Sequence, residues 1–175
     1  MATLAWSAVS AQAQSETFSG TASLKTAGGV NANAPVTITI DRFATDADQA
    51  ALVAAAKSGG TAARDWLAKR ADAGSLQVGG RKMPIKYAYV RKTAGGRLIT
   101  VATAEPIALV GAGLPDAKSS AGFDLGFVLL DMPASGAGQG ELSPAAKVSV
   151  NQQGAIVTED FNKAGVVHVS NIVKK

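Results

Sequence analysis

Apolar and polar side chains alternate with a period of two along most of this chain, and one stretch breaks the rhythm. Over TFSGTASLK, residues 17–25, Phe18, Gly20, Ala22 and Leu24 alternate with Thr17, Ser19, Thr21 and Ser23. That is the pattern of a strand with one face buried. After the turn sequence AGGVNANAP, Val36, Ile38 and Ile40 oppose Thr37, Thr39 and Asp41. The two runs predict an opening hairpin with a longish loop.

The period then lengthens. Thr45, followed three residues on by Asp48, predicts a capping box with Asp in place of the usual Glu or Gln. Alanine-rich helical sequence runs from there to Lys57 and stops at Gly59-Gly60. Thr61 is placed to cap a second helix over 62–72, closed by Gly74, with Ala63, Trp66, Leu67 and the stem of Arg70 on its apolar face. Each helix has only about three turns, too few to persist alone, so both must pack on the sheet.

Beyond the helices the alternation returns. Leu76-Gln77-Val78 leads through Gly79-Gly80 to a run in which Ile85, Tyr87 and Tyr89 alternate with Lys86, Ala88 and Val90. Ala94-Gly95-Gly96 turns the chain, and Leu98, Thr100 and Ala102 then oppose Ile99, Val101 and Thr103, a strong hairpin signal. Residues 111–122 read as loop. Phe123, Leu125, Phe127 and Leu129 alternate with a second set, Asp124, Gly126, Val128 and Leu130, that is itself partly apolar, so this strand is expected to be covered on both faces. Further strands are expected at Glu141-Leu142, Lys147–Val150, Ala155–Thr158 and Val166–Val173, divided by Gly136/Gly138/Gly140, Gln153-Gly154 and Ala164-Gly165. The whole predicts an α+β domain. A mainly antiparallel sheet of about eight or nine short strands, curled or barrel-like, carries a two-helix insertion.

Composition narrows the class. Hydrophobic residues make up 47% of the 175, but much of that is alanine and only nine residues are aromatic, so the core should be aliphatic. The absence of cysteine excludes disulfide staples, thiolate chemistry and cysteine-ligated zinc. Residues 1–13, MATLAWSAVSAQA, are uncharged, contain the apolar stretch Leu4, Ala5, Trp6, Ala8 and Val9, and end on Ala11-Gln12-Ala13, the small-x-small pattern that a signal peptidase cuts after. They are read as a truncated export signal, with a single domain over 14–175 that works in the periplasm or outside the cell. No apolar run approaches the roughly 20 residues of a transmembrane helix.

Charge is uneven. From Lys57 to Arg97 ten basic residues face only Asp65 and Asp72, a local +8 within a chain of net +4. Such a segment attracts anions over a Debye length of about 8–10 Å. An anionic envelope surface and a small amphiphilic ligand with an acidic head are the candidate partners. The plainer alternative is that these charges solvate a helix face and a hairpin.

The stretch LQVGGRKMPIKYAYVRKTAGGRLITVATAEPIAL, followed by FDLGFVLLDMP, GQGELSPAAKVSVNQQGAIVTEDF and VVHVSNIVK, resembles a family of small exported bacterial proteins without known activity. The resemblance spans roughly residues 35–173. It lies in the order of a glycine-turned hairpin, Thr-Ala-Glu-Pro-Ile at 103–107, an irregular loop and the Phe123 strand. It implies no activity, cofactor or catalytic residue.

No constellation points firmly to catalysis. Gly111-Ala112-Gly113-Leu114-Pro115-Asp116 begins like a dinucleotide loop, but Asp116 replaces the third glycine and no amphipathic helix follows. The single His168, without cysteines or clustered acids, predicts no metal site. Glu105, Asp131, Asp124 and His168 are the residues a hydrolase would have to use, and none sits in a recognisable motif. Tyr87 and Tyr89, flanked by Lys86 and Arg91, could stack a base or sugar, yet no RNP-like sequence surrounds them, and no nucleic-acid partner is expected. The sequence therefore predicts a non-catalytic exported binding or interaction domain with no cofactor. A carrier for a lipid-like amphiphile is the alternative and a hydrolase the third class. The ligand-binding candidates are Tyr87, Tyr89, Phe123, Phe127, Lys86 and Arg91, with Ile38 and Ile40 lining the same pocket of the curled sheet. If residues 1–13 are the end of an export signal, the chain expressed in a bacterial host behind a basic signal start should give an extracytoplasmic species whose intact mass begins at Gln14; exported protein retaining residues 1–13 would overturn that reading.

Overall fold

The alternating runs do become strands, and they assemble into one curled sheet. The computed structural model describes residues 15–25, 31–107, 109, 122–153, 155–160 and 167–175. Among them lie β1 (Glu16–Lys25), β2 (Asn31–Ile40), α1 (Asp46–Lys57), α2 (Gly60–Ala68), β3 (Gly74–Val78), β4 (Arg81–Ile85), β5 (Tyr87–Thr93), β6 (Gly96–Thr103), β7 (Leu125–Pro133), β8 (Gly138–Val150), β9 (Ile156–Asp160) and β10 (Val167–Lys174). The signal-like segment 1–13, the loop residues 111–121, Gly154 and the Ala164-Gly165 break lie outside the described residues.

Every ladder is antiparallel, in the spatial order β4-β3-β2-β1-β10-β8-β7-β6-β5, with β9 beside the second half of β8. The two ends of that path, β4 and β5, are separated in the chain by Lys86 alone. Residues 81–93 therefore pair first with β3 and then with β6, and the sheet bends round on itself to allow it. The Lys86 backbone N–H donates to the Ala102 carbonyl at 2.9 Å, at the point where the second ladder begins. The fold is α+β, a curled antiparallel sheet with two helices on it.

Changing partner at Lys86 also changes face. Unbroken alternation would put Ile85, Tyr87 and Tyr89 together. Instead Ile85, Ala88 and Val90 pack into the aliphatic interior of the curl, while Tyr87 and Tyr89 join a second cluster on the opposite face. Lys86 acts as the one extra residue of a bulge, which reverses the parity of everything after it. The interior is filled from all sides by side chains such as Phe18, Ile38, Leu76, Ile99, Leu130 and Leu142. On the other face Leu52 and Ala56 of α1 and Ala63 and Leu67 of α2 cover Tyr87, Ala102, Leu125 and Phe127. Residues Leu125–Val128 are consequently buried without a break, the double coverage that their apolar–apolar alternation predicts.

Helix α1 starts where its sequence says. The Thr45 backbone N–H donates to Asp48 Oδ2 at 2.9 Å, and the Asp48 N–H returns the bond to Thr45 Oγ1 at 3.2 Å. These bonds from Thr45, backbone first, together with Arg70, outweigh burial and hold the Asp48 carboxyl below its ordinary pKa. Four boundaries differ from expectation. Gly59 caps α2 in place of Thr61, and the helix ends at Ala68 rather than at residue 72, because the chain must already be turning toward β3. Residues 31–35 extend β2 instead of forming a turn, paired with Thr21–Lys25 of β1. Gly138 and Gly140 lie inside β8 rather than in a break. A Cβ there would stand 2.5 Å from Met132 Sδ or from the Leu129 carbonyl oxygen, so these glycines serve close strand approach.

At one end of the curl Glu16 is enclosed by Arg97 and Lys174, with Arg97 Nη2 at 2.9 Å and Lys174 Nζ at 2.8 Å. Burial raises the Glu16 pKa, but the two cations outweigh it and leave the carboxyl below its ordinary value. At Gly74, which has φ +151°, a Cβ would lie 2.0 Å from the Thr39 carbonyl oxygen. Gly74→Ala should therefore destabilise the fold by about 3 kcal/mol or more in urea titration. Gly80→Ala, with nothing within 4 Å of its Cβ, should change stability by no more than about 0.5 kcal/mol.

Candidate functional site

The face opposite the aliphatic interior is only partly roofed. Cross-strand register lays out two rows on β5 to β8: Tyr87, Ala102, Phe127 and Ser143, then Tyr89, Thr100, Leu129 and Glu141. Arg91 and Leu98 begin the next row. The helices cover the first row, reach Tyr89 at one end of the second, and stop short of the rest. Between α1 and the hairpin that carries β9 a groove of about 380 Å³ remains, within the roughly 300–1,000 Å³ typical of ligand clefts. Phe127, Leu98 and Leu129 form its floor, and Leu52 of α1 and Ile156 of β9 its walls. Leu129 is 43% exposed there, unusual for a large apolar side chain in mid-strand.

An aromatic ladder fixes one side. Trp66 of α2 meets Tyr87 edge to face at 6.4 Å, and Tyr87 stacks on Tyr89 at 6.3 Å. Arg70 lies 4.5 Å from the Trp66 ring and also holds Asp48. The Tyr89 hydroxyl donates to Asp46 Oδ1 at 2.8 Å, tying the first turn of α1 to β5. Burial above all, then the neighbouring Tyr89 and Asp48, pushes the Tyr87 phenol far above its ordinary range. Tyr89 is raised chiefly because its proton is held by Asp46.

Four of the six sequence-derived candidates, Tyr87, Tyr89, Phe127 and Arg91, line this groove. Phe123 sits at an isolated bridge before β7, away from the groove lining. Lys86 turns toward the helix side, where its Nζ donates to Asp72 at 2.7 Å and to the Arg70 carbonyl at 3.3 Å. Ile38 and Ile40 face the filled interior, so they and the tyrosines are on opposite sides of the sheet. Gln49, Leu52 and Ile156 carry no signal in the sequence, because a helix and a hairpin about 100 residues apart leave no local sign that they converge.

The basic segment is divided by the fold. Arg64, Arg70, Lys86 and Arg97 each hold a carboxylate. Arg81 and Lys82 lie at the start of β4, while Arg91 and Lys92 lie at the far end of β5, so they flank the sheet at separate places. Glu105 and Asp131 are both exposed and lie at opposite ends of the β6–β7 ladder, separated by about 17 Å of strand. His168 is exposed on β10 opposite Glu141, and Asp124 stands 3.8 Å from Arg64. No group of three or more potential metal ligands occurs among the described residues.

No protein-family model matches the chain, and no curated protein or solved structure matches it either. The groove is thus read from its own geometry. Because both tyrosines are raised, alkaline spectroscopic titration should show no phenolate step at the ordinary value of 10.0. Their contribution to stability is complete below that pH and declines as pH rises from there toward the raised folded-state values. Asp46→Asn should return Tyr89 toward 10.0 and leave Tyr87 high; a phenolate step at 10.0 in the unaltered protein would contradict the assignment.

Proposed function

We propose that this protein is a non-catalytic, exported binding domain that takes an elongated amphiphilic ligand in the groove between α1 and β9. The supporting observation is the half-roofed apolar floor, with Leu129 left 43% exposed between walls that leave a volume of about 380 Å³. A surface leucine with no ligand role is commonplace. One set in a concave floor beside Phe127 and Leu98, under a helix that stops short of it, is the arrangement of a ligand cleft. The apolar side of a ligand would lie on that floor, and its polar part would face the rim. The filled interior of the curl supports this placement, since its space is taken by the chain's own side chains.

Export is supported by the small-x-small pattern at Ala11-Gln12-Ala13. No helix among the described residues is long and apolar enough to cross a membrane. A soluble ligand reaching an open groove suits a domain that meets its partner in the aqueous phase.

Dodecanoate and an environment-sensitive naphthalene dye are suitable first probes. Both should bind at one site, and Leu129→Asp should weaken them about tenfold by removing buried apolar contact. The same substitution places a carboxylate opposite Glu141 in an interior strand, so it should also cost about 1 kcal/mol in urea titration while leaving the chain folded. Binding unaffected by Leu129→Asp, or no binding of either probe, would remove this reading.

A further inference from the structure

Two charged side chains line the groove, one of each sign, at opposite ends. Arg91 projects from β5 and Glu141 from β8, with β6 and β7 between them. Both are exposed, and neither makes an ion pair among the described residues. Three inter-strand steps and an offset of one row put their backbones about 15 Å apart. At that distance their attraction for each other is screened, so each is available to a ligand.

The lining between the two charges is mixed. Leu98, Leu129 and Phe127 are apolar, but Thr100 and Ser143 stand in the same rows, and Gln49 and Thr158 face in from the walls. A plain alkyl tail can lie on the apolar floor but leaves those hydroxyl and amide groups without a partner, so it uses only part of the lining. A peptide backbone offers an N–H and a C=O at every residue, and its side chains can meet the apolar floor. An extended peptide advances about 3.3–3.6 Å per residue, so four or five residues bridge the two charges.

We infer that the groove binds short apolar peptides of four or five residues with free termini, the carboxylate at Arg91 and the ammonium at Glu141. This rests on the groove being a ligand site, and it names the ligand class. The polarity is set by charge: a peptide laid the other way would put its ammonium against a guanidinium and its carboxylate against Glu141. The specificity is for length and free ends, with the apolar floor tolerant of which small or branched side chains lie on it.

The test is a heteronuclear NMR titration of the full chain, which also reports that each variant is folded. The probes are the tetrapeptide Ala-Leu-Leu-Ala with free ends, its N-acetylated form, its C-amidated form and dodecanoate. Acetylation and amidation should each weaken binding about fivefold, the scale of one partly exposed charge contact. Arg91→Gln should abolish the effect of amidation and keep that of acetylation, and Glu141→Gln should do the reverse. Equal binding of free and capped peptides, or cap effects unchanged in both variants, overturns the inference. Dodecanoate binding that depends on Arg91 while no peptide binds also overturns it, but leaves the groove as an amphiphile site. If no probe perturbs the groove resonances, both readings fall together.

Discussion

Residue 86 is where one strand becomes two, and most of the architecture follows from it. A strand buried on both sides must satisfy two apolar compartments at once, with odd positions facing one and even positions the other. Residues 81–85 pair with β3 and turn Met83 and Ile85 to the interior, whereas residues 87–93 pair with β6 and supply both compartments, Ala88 and Val90 inward and Tyr87 and Tyr89 outward. Inserting Lys86 lets both ladders form on one chain segment, and so lets the sheet curl until its ends meet. The same insertion sends Tyr87 and Tyr89 outward. Without them α1 and α2 would keep only Phe127 as an aromatic surface to rest on, and the groove would lose its wall on that side. Lys86 itself is held by Asp72 and the Arg70 carbonyl, so the bend is anchored to the end of the helical insertion.

Two cores result, and they differ in character. The inner one is aliphatic, made of β-branched and leucine side chains that interlock from opposite walls, and its one buried polar side chain among the described residues is Thr103. Thr103 is satisfied locally, donating to the Glu105 carbonyl at 2.6 Å and accepting from the Gly126 N–H at 3.1 Å. The outer core is smaller and mixed, with Trp66, Tyr87 and Tyr89 in a row and polar groups at its margin. Complete packing inside and incomplete packing outside are what place the groove where it is. A helix pair of about three turns each can cover only part of a four-strand face.

The sequence revealed elements more readily than their connections. Alternation located β1, β2, β5, β6 and β7, and for β6 and β7 it assigned the two faces correctly, because Ile99 and Val101 go inward while Leu98 and Ala102 go outward. The Thr45–Asp48 box was legible because capping depends on two residues three apart. The parity reversal was not, since a bulge adds one residue and leaves no mark in the hydrophobic pattern: Ile85, Tyr87 and Tyr89 look the same whether or not Lys86 breaks the strand. Gly138 and Gly140 misled for a related reason. Glycine is used both to turn a chain and to let strands approach, and only the neighbours, Met132 at Gly138 and Leu129 at Gly140, decide between them. For the site, the aromatic and basic residues of β5 were visible, whereas the α1 and β9 walls depend on contacts between distant segments.

The seam between β1 and β10 carries a consequence for biosynthesis. Strands β1 to β4 lie side by side in chain order, and so do β5 to β8, but the two groups join through the earliest and latest described strands. As the chain is made, the free borders of β1 and β8 stay unpaired until Val167–Lys174 has emerged. Nascent protein is thus exposed to wrongly paired strands from the emergence of β1 until that of β10, a window in which a chaperone that shields bare sheet edges would matter most.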